Sequence, residues 1–373
     1  MIKIKDIGDF KKVPQIVTDI IDGNLSALEE YFKKNNIDKE IKIGSSIDLT
    51  PLDVALIMES LESVKWLAEH GANLNIKDNP SFLIAVRYCN EKTIRFLVAN
   101  GAKTDLLNNV KSDAFKQALI GKKFEHLELI HELGHKVEKY GGEAFRSAVW
   151  GHQSLQSGVV PSDPKTRSYK VLDFFISHGV DINYNKPDQV FPYKPTPLCV
   201  AARYMDMHMV RYLVEHGADV TIAEKDGMRP YSIAVEKDDL EMAEYFKALE
   251  PVEFHSIQNK MDELKPYKLP QSLFDFLQGE QLHIELQDCD FGFIDFFSLI
   301  ETVPMKFERQ KLLRISKITG DYDHISLVWN PKSKKIAYYD MEHQELGNMC
   351  SFEDFIKEPA VHMEKILNGD YGE

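Results

Sequence analysis

Residues His131, Glu132, Leu133, Gly134 and His135 have the spacing H-E-x-x-H. In an uninterrupted helix, two histidines at this spacing share one face and bind zinc, while the glutamate acts as a general base beside the metal. A third ligand would come from elsewhere in the chain. The motif therefore raises metal-dependent hydrolysis as a hypothesis, provided that one helix carries both imidazoles.

The glycine inside this motif recurs along the chain after apolar helical stretches, and this recurrence argues against the zinc site. Equivalent glycines are Gly71, Gly101, Gly179 and Gly217. Glycine adopts a positive φ at low cost and commonly ends a helix. We therefore expect the helix to stop at Gly134, which takes the second histidine off the face of the first. A zinc metalloenzyme stays a minor alternative.

Other residues that could do chemistry have simpler interpretations. His70, His178 and His216 directly precede the recurring glycines, and we expect their rings to bind the last helical carbonyls. The sequence contains neither the glycine-rich phosphate-binding patterns nor G-x-S-x-G. Asp321 and Asp323 stand at i and i+2 in one turn, a spacing that does not fix two carboxyls for acid–base work. We predict a protein that is not an enzyme and uses no metal or other cofactor.

The elements around the glycines form an internal repeat. Thr-Pro-Leu at residues 50–52 returns at 196–198, and Arg-Pro-Tyr at 229–231 is a degraded copy. The first three marker glycines are 30 and 33 residues apart. A period near 33 with a threonine cap, a proline in the first helical turn and a glycine after the second helix resembles the ankyrin repeat. This resemblance implies an α-solenoid, because no single repeat buries its own apolar face.

About seven repeats are predicted over residues 1–250, starting with a capping unit near residues 15–35 and ending with a unit at 225–249. Two proline-containing insertions interrupt them, near residues 151–167 and 184–194. Each insertion is either a tolerated surface loop or a device that widens a binding face.

After residue 250 the glycine marker disappears and strand-like runs begin. Three β-rich runs and one hairpin turn are recognisable, at residues 312–318, 325–329, 335–340 and 330–334. A helix is predicted at residues 271–277, and a capping-box sequence at 351–354 predicts a closing helix through Ile356. The fold class is therefore an α-solenoid of ankyrin repeats followed by a smaller α+β domain at residues 251–373.

The order of several motifs in this second domain carries a further resemblance. The motifs are Leu-Pro-Gln-Ser-Leu-Phe-Asp-Phe-Leu (269–277), Phe-Gly-Phe-Ile-Asp-Phe-Phe (291–297), Leu-Arg-Ile-Ser (313–316), Gly-Asp-Tyr-Asp (320–323), Val-Trp-Asn-Pro (328–331), Ala-Tyr-Tyr-Asp (337–340) and Ser-Phe-Glu-Asp-Phe-Ile (351–356). They resemble the SUKH superfamily, which includes fungal cell-wall-assembly regulators and bacterial toxin-immunity proteins. The resemblance covers residues 255–358. It implies a SUKH-like fold and immunity against a bacterial polymorphic toxin, by occlusion of the toxin's active surface.

Acidic charge is concentrated in the second domain. The chain carries 45 basic and 59 acidic residues, a net charge of −14, which disfavours nucleic-acid binding. Residues 251–373 hold 13 basic and 22 acidic residues, a net −9, against −5 for residues 1–250. The acids of this domain are either solvated turns or a face that steers a basic partner.

Composition also bears on the compartment. The hydrophobic fraction of 43% suffices for packed cores and excludes wholesale disorder. The 4 cysteines include no Cys-x-x-Cys pair, which is typical of reduced thiols. The start lacks the apolar region of a signal peptide, and no apolar run approaches the roughly 18 residues of a membrane span. We expect a cytoplasmic protein without membrane association.

The leading hypothesis is a non-enzymatic protein-binding protein, specifically an immunity protein that neutralises a basic toxin domain. The alternative is an ankyrin scaffold or regulatory adaptor without a toxin partner, and the oligomeric state is open. The predicted partner-binding residues are Asp288, Asp290, Asp295, Asp321, Tyr322, Asp323 and Trp329 in the second domain, and Lys77, Asp78, Asp188, Lys225 and Asp226 in finger loops. For Trp329, strand core is an equally good interpretation.

Overall fold

The computed structural model describes residues 13–42, 48–151, 169–320, 322 and 324–371. The chain forms two compact units, residues 1–182 (unit 1) and residues 183–373 (unit 2). The sequence predicts a change from helices to strands near residue 250, and the helical repeats do end there. The compact units divide earlier, because the last two repeats pack on the strands that follow them.

Unit 1 has five helix pairs in its described residues. They are α1 (Gln15–Ile21) with α2 (Leu25–Phe32), α3 (Pro51–Ile57) with α4 (Leu61–Glu69), α5 (Ser81–Tyr88) with α6 (Glu91–Ala99), α7 (Ala114–Ile120) with α8 (His126–Glu132), and α9 (Val137–Trp150) with α10 (Lys170–Ser177). The strands β1 (Ile41–Lys42) and β2 (Asp48–Leu49) form a short antiparallel ladder. The first helices of successive pairs, α1, α3, α5, α7 and α9, pack on one another in this order, which confirms the predicted stacking.

The helices of unit 1 begin at the predicted signals. The Thr50 hydroxyl accepts the N–H of Asp53 at 3.1 Å, and the Asp53 carboxylate accepts the N–H of Thr50 at 2.9 Å. This capping box, with Pro51 as the first helical residue, starts α3. In repeat four, Asp113 stands in place of the threonine and accepts the N–H of Lys116 at 2.8 Å. A carboxylate oxygen caps as well as a hydroxyl, so this repeat keeps its first helix without the Thr-Pro-Leu sequence.

The marker glycines end the second helices. Their φ values are +91°, +98°, +101°, +76° and +98° at Gly71, Gly101, Gly134, Gly179 and Gly217. The preceding histidines cap the same helix ends, with Nδ1 2.7, 2.8 and 2.7 Å from a carbonyl oxygen four residues back at His70, His178 and His216. Both predictions are confirmed. Because α8 ends at Glu132, His135 lies beyond the helix that carries His131.

Unit 2 begins with two more helix pairs and continues into a β-rich domain. The helices are α11 (Pro197–Tyr204), α12 (Met207–Glu215), α13 (Pro230–Glu236), α14 (Leu240–Leu249), α15 (Ile257–Leu264), α16 (Gln271–Gln278), α17 (Phe352–Phe355) and α18 (Pro359–Leu367). The strands are β3 (His283–Glu285), β4 (Phe293–Phe296), β5 (Val303–Phe307), β6 (Gln310–Arg314), β7 (Ser316–Ile318), β8 (Ile325–Asn330), β9 (Lys335–Asp340) and β10 (Glu345–Asn348).

The strands form two antiparallel sheets, ordered β3-β4-β7 and β10-β9-β8-β6-β5. All six residues of β8 are buried, so both faces of the larger sheet are covered at its centre. Leu327 and Trp329 face the main core with α16 and α17, whereas Val328 packs with Met305 and Tyr339 on the opposite face. A strand covered on both faces needs a second layer, and the last two repeats supply it.

The predicted elements of this domain are present. The run at residues 312–318 coincides with β6 and β7, the run at 325–329 with β8, and the run at 335–340 with β9. The predicted hairpin turn joins β8 to β9. Helix α18 was not predicted; Pro359 starts it three residues after Ile356, where the closing helix was expected to end. The α+β class is confirmed, and the SUKH-like assignment stays a prediction.

Candidate functional site: the ends of the first helices and the finger loops

One position recurs on the first helix of repeats two to seven, two residues after a buried alanine. The alanines, each 0% exposed, are Ala55, Ala85, Ala118, Ala148, Ala201 and Ala234. The residues at the recurring position are Ile57, Arg87, Ile120, Trp150, Arg203 and Glu236. We call these six residues the helix-end row. Within each unit, neighbouring first helices pack side by side, so neighbouring members of the row lie next to one another.

In unit 1 the helix-end row is accessible. Ile120 and Trp150 are 52% and 47% exposed, and Ile57 and Arg87 are half-buried. Accessible tryptophan, arginine and large aliphatic side chains are the types that anchor protein–protein interfaces. This part of the row therefore has the composition of a protein-binding surface.

The finger loops beside this row are also accessible. Lys77 and Asp78 are exposed, and the carbonyl of Asp78 accepts the N–H of Asn109 in the next finger at 2.9 Å. That next finger exposes Leu107 and Val110 by 39% and 47%. The two predicted residues Lys77 and Asp78 thus lie on the surface, in a finger tied to its neighbour.

In unit 2 the same row contacts one of the chain's own strands through Glu236. Arg203 donates to Glu224 at 2.7 Å and to Glu236 at 3.1 Å. Glu236 also accepts a hydrogen bond from Arg314 of β6, whose side chain is only 3% exposed. The result is a ladder of alternating acidic and basic side chains that joins repeats six and seven to the larger sheet.

The charges in this ladder are tuned by burial. Burial raises the pKa of Glu224 to about 8, although Arg203 opposes the rise. Burial works against the charge of Arg203, but Glu224 and Glu236 outweigh it and raise the pKa of this guanidinium. One arginine is therefore shared by two carboxylates, and Arg314 supplies the second cation that the arrangement needs.

Three further polar contacts link repeat seven to the β-rich domain. They join Tyr231 to Glu301 at 2.8 Å, Lys317 to Asp238 at 2.5 Å, and Lys225 to Gln344 at 3.3 Å. Each contact pairs a residue of repeat seven with one beyond residue 250. Repeat seven therefore meets the β-rich domain along its whole helix α13 and its finger.

The finger of repeat seven contains two of the predicted partner-binding residues, Lys225 and Asp226. Asp226 is buried, and its carboxylate accepts the N–H of Met228 at 3.2 Å. Gly227 has a φ of +90°, and a Cβ there would come within 2.2 Å of the Pro304 carbonyl oxygen on β5. Lys225 and Asp226 thus belong to a finger that contacts the chain's own domain; Asp226 is buried there, whereas Lys225 is exposed and its role at a partner stays a prediction.

The insertion at residues 184–194 also serves this internal contact. Asp188 accepts the N–H groups of Val190 and Phe191 at 2.8 and 2.7 Å, which shapes the loop around the buried Phe191 ring. Tyr193 lines a cavity of about 20 Å³ with residues of β5 and β9. Asp188 is therefore a loop-stabilising residue. The other predicted insertion lies outside the described residues, apart from Gly151.

The predicted acidic residues of the β-rich domain are not one cluster. Asp288 and Asp290 are exposed in the turn between β3 and β4. Asp295 lies on β4 and accepts a hydrogen bond from His283 at 2.7 Å, and this contact, with a second to Glu285, raises the pKa of His283. Asp321 and Asp323 lie outside the described residues.

The two predicted aromatic contacts belong to the core. Trp329 is 2% exposed, and its indole N–H donates to the carbonyl of Tyr267 at 2.8 Å. Tyr322 is half-buried, with its ring 4.6 Å from that of Phe291. Because Trp329 is inside the domain, it cannot contact a partner, and the strand-core interpretation is the one that the structure shows.

The two histidines of the H-E-x-x-H motif have separate surroundings. His135 is fully buried, stacked on Tyr140 at 4.2 Å. His131 accepts the N–H of Val137 at 3.3 Å, and its ring lies 4.7 Å from that of His178. In the described residues, no three His, Cys, Asp or Glu side chains are grouped so as to hold a metal ion. No helix among these residues has the length and apolarity to cross a membrane.

Comparisons with known proteins agree with the helical repeats. Residues 48–79 match the family model for the ankyrin repeat, and residues 165–252 match that for ankyrin repeats in three copies. Over 117 residues the chain is 29% identical to palmitoyltransferase AKR1 of Lachancea kluyveri. The aligned segment covers 31% of this chain and only 14% of that protein. The human ASB11 ankyrin repeat domain aligns with 64% of this chain and 99% of its own, at 16% identity and a TM-score of 0.45. The predicted ankyrin repeats are confirmed, and the chain spans a small part of the curated relative that it matches.

Proposed function

We propose that this ankyrin-repeat protein binds another protein through the helix-end row and finger loops of unit 1. The observation that carries the proposal is a contrast within the row. Ile120 and Trp150 in unit 1 are about half exposed, at 52% and 47%, whereas in unit 2 Glu236 pairs with the buried Arg314 of the β-rich domain and Arg203 pairs with Glu236. In unit 2 the row thus already contacts a folded domain through Glu236, and in unit 1 the same positions are accessible to a partner.

The composition of the exposed row supports the same proposal. Trp150 and Arg87 are of the residue types that most often dominate binding energy, and Ile120 adds apolar area between them along the row. The adjacent finger adds Leu107 and Val110. A partner that covers these side chains would remove apolar surface from water at the centre and leave the finger charges at the rim.

Our finer proposal is that the partner is a bacterial toxin, and that binding occludes the toxin's active surface. The resemblance of residues 255–358 to immunity proteins and the net charge of −9 on residues 251–373 support it. The alternative is a scaffold or adaptor without a toxin partner. Gene neighbourhood separates the two, since immunity genes lie directly after toxin genes.

Co-expression tests the finer proposal. Each toxin encoded beside the gene is expressed with and without this protein, and growth rescue and complex formation by purified proteins are scored. Immunity predicts rescue together with a stable complex. Failure of every neighbouring product to bind would count against immunity and leave the scaffold.

A pair of matched variants tests the surface. Ile120→Asp places a carboxylate in the helix-end row, and Leu25→Asp places one at an exposed leucine on α2. We expect Ile120→Asp to weaken partner binding by about tenfold or more and Leu25→Asp to leave it unchanged. Equal affinities for both variants would show that the row is not the binding surface.

A further inference from the structure

The internal contact in unit 2 shows which residues of a repeat meet a bound protein. In repeat seven, the row residue Glu236 meets Arg314, and Asp238, two residues further on, meets Lys317. Asp238 occupies the turn between the two helices with a φ of +54°. Repeat seven therefore presents two carboxylates, one at the row and one at the turn, and the domain that covers them brings two cations.

Repeats three and four each carry a cation at one of these two positions, while the other position is Cys89 in repeat three and Ile120 in repeat four. Arg87 is the row residue of repeat three, and Lys122 is the turn residue of repeat four, with a φ of +53°. They are neighbours, because a Cβ on Gly121 would come within 2.5 Å of the Arg87 carbonyl oxygen. Among the described residues, neither side chain makes an ion pair with a carboxylate, and Lys122 is exposed. Repeat two instead has Glu59 at its turn, so the cationic stretch begins at repeat three.

Apolar side chains flank these two cations. Ile120 lies two residues before Lys122 in the same helix end, and Trp150 follows in the row of repeat five. A nearby lysine of α7 is already used, since Lys116 pairs with Glu143 at 2.5 Å. Arg87 and Lys122, with Lys123 directly after Lys122, are therefore accessible cations on this stretch, and they lie beside exposed aliphatic and aromatic surface.

We infer that the helix-end row of repeats three to five binds a protein segment that presents carboxylates next to apolar side chains. The inference rests on the proposed function and specifies the chemistry of the partner at this surface. In the internal contact, carboxylates of repeat seven meet cations of the domain that covers them. Because repeats three and four carry cations instead, a partner with complementary charge carries carboxylates at this surface. A basic toxin attracted by the acidity of the second domain would contact this row through such an acidic and apolar segment.

Two β-hairpin peptides with the same apolar residues test the inference, one with glutamates and the other with lysines at the polar positions. Binding to the full chain is measured by fluorescence anisotropy at low and moderate salt. We expect the glutamate peptide to bind about tenfold more tightly, with an advantage that shrinks as salt rises. The double variant Arg87→Glu with Lys122→Glu should reverse the preference. A control, Lys34→Glu with Lys92→Glu, makes the same change of charge at exposed lysines outside the row and should preserve it.

The outcomes separate this inference from the proposed function. Equal binding of both peptides, or preference for the lysine peptide, would overturn the inference. If the peptide that binds then lost its affinity in Ile120→Asp, the row would still be supported as a binding surface. Binding of neither peptide would also overturn the inference, while the co-expression experiment would decide the proposed function independently.

Discussion

Removal of Arg314 tests how strongly the strands hold repeats six and seven. Its side chain is 3% exposed, pairs with Glu236 and donates to the carbonyls of Ser316 and Lys317, both at 3.1 Å. Loss of one partner from a buried ion pair costs about 3–5 kcal/mol. Glu236 keeps Arg203 as a second partner at 3.1 Å, which reduces the penalty. We therefore expect Arg314→Ala to lower the free energy of unfolding of unit 2 by about 2–4 kcal/mol.

Urea unfolding followed by tryptophan emission measures this effect. Two of the 3 tryptophans, Trp66 and Trp150, lie in unit 1, so the Trp66→Phe, Trp150→Phe background reports unit 2 through Trp329 alone. Lys317→Ala is the control, since its partner carboxylate is 63% exposed and such a pair contributes less than about 1 kcal/mol. A loss for Arg314→Ala no larger than for the control would refute the reasoning.

Three other changes give separate tests. Gly227→Ala should lower the free energy of unfolding of unit 2 in urea by more than about 2 kcal/mol, because the new Cβ would lie 2.2 Å from the Pro304 carbonyl oxygen. The control is Gly217→Ala, at a φ of +98° with open space around it, which should cost about 1 kcal/mol. Equal losses for the two variants would contradict the contact at Gly227. The pKa of Glu224 is about 8 in the folded chain against 4.5 unperturbed, so its contribution to stability is complete below pH 4.5 and is lost as pH rises toward 8. The urea midpoint of the unchanged protein should therefore fall over this pH range, and in Glu224→Gln this fall should be absent. Parallel pH profiles of the two proteins would argue against this role of Glu224. Metal analysis of the purified protein should find no stoichiometric zinc, and zinc that disappears in His135→Ala would show that the H-E-x-x-H motif binds metal.

The features that the sequence predicted depend on residues close together in the chain. A glycine such as Gly134 ends its helix because only the local backbone must turn, and Thr50 caps α3 through a residue three positions away. The strands β8 and β9 were found for the same reason, since their hairpin joins neighbouring segments. Such local signals specify the repeats and the α+β class without any long-range contact.

The candidate site was predicted less well, because it depends on contacts between distant residues. Ile57, Arg87, Ile120 and Trp150 are of three different types and form no motif; only alignment on the buried alanines would have found them. Asp226 carries the expected charge in the expected finger, but the chain's own strand β5 covers that finger. A pattern within one loop specifies its polarity and not what packs against it.

The internal contact also decides where the chain can be divided. Strand β5 is an edge of the larger sheet, and the finger at Gly227 lies against its Pro304 carbonyl. A fragment of residues 251–373 would expose this edge together with Met305 and Tyr339, a combination that favours aggregation. A fragment of residues 183–373 keeps both covered. We expect the longer fragment to be monodisperse in size-exclusion chromatography and to unfold cooperatively, and the shorter one to bind 1-anilinonaphthalene-8-sulfonate and aggregate. If the shorter fragment were monodisperse and equally stable, repeats six and seven would be dispensable to the sheet, and their contact with it would be a weak association between separately folded domains.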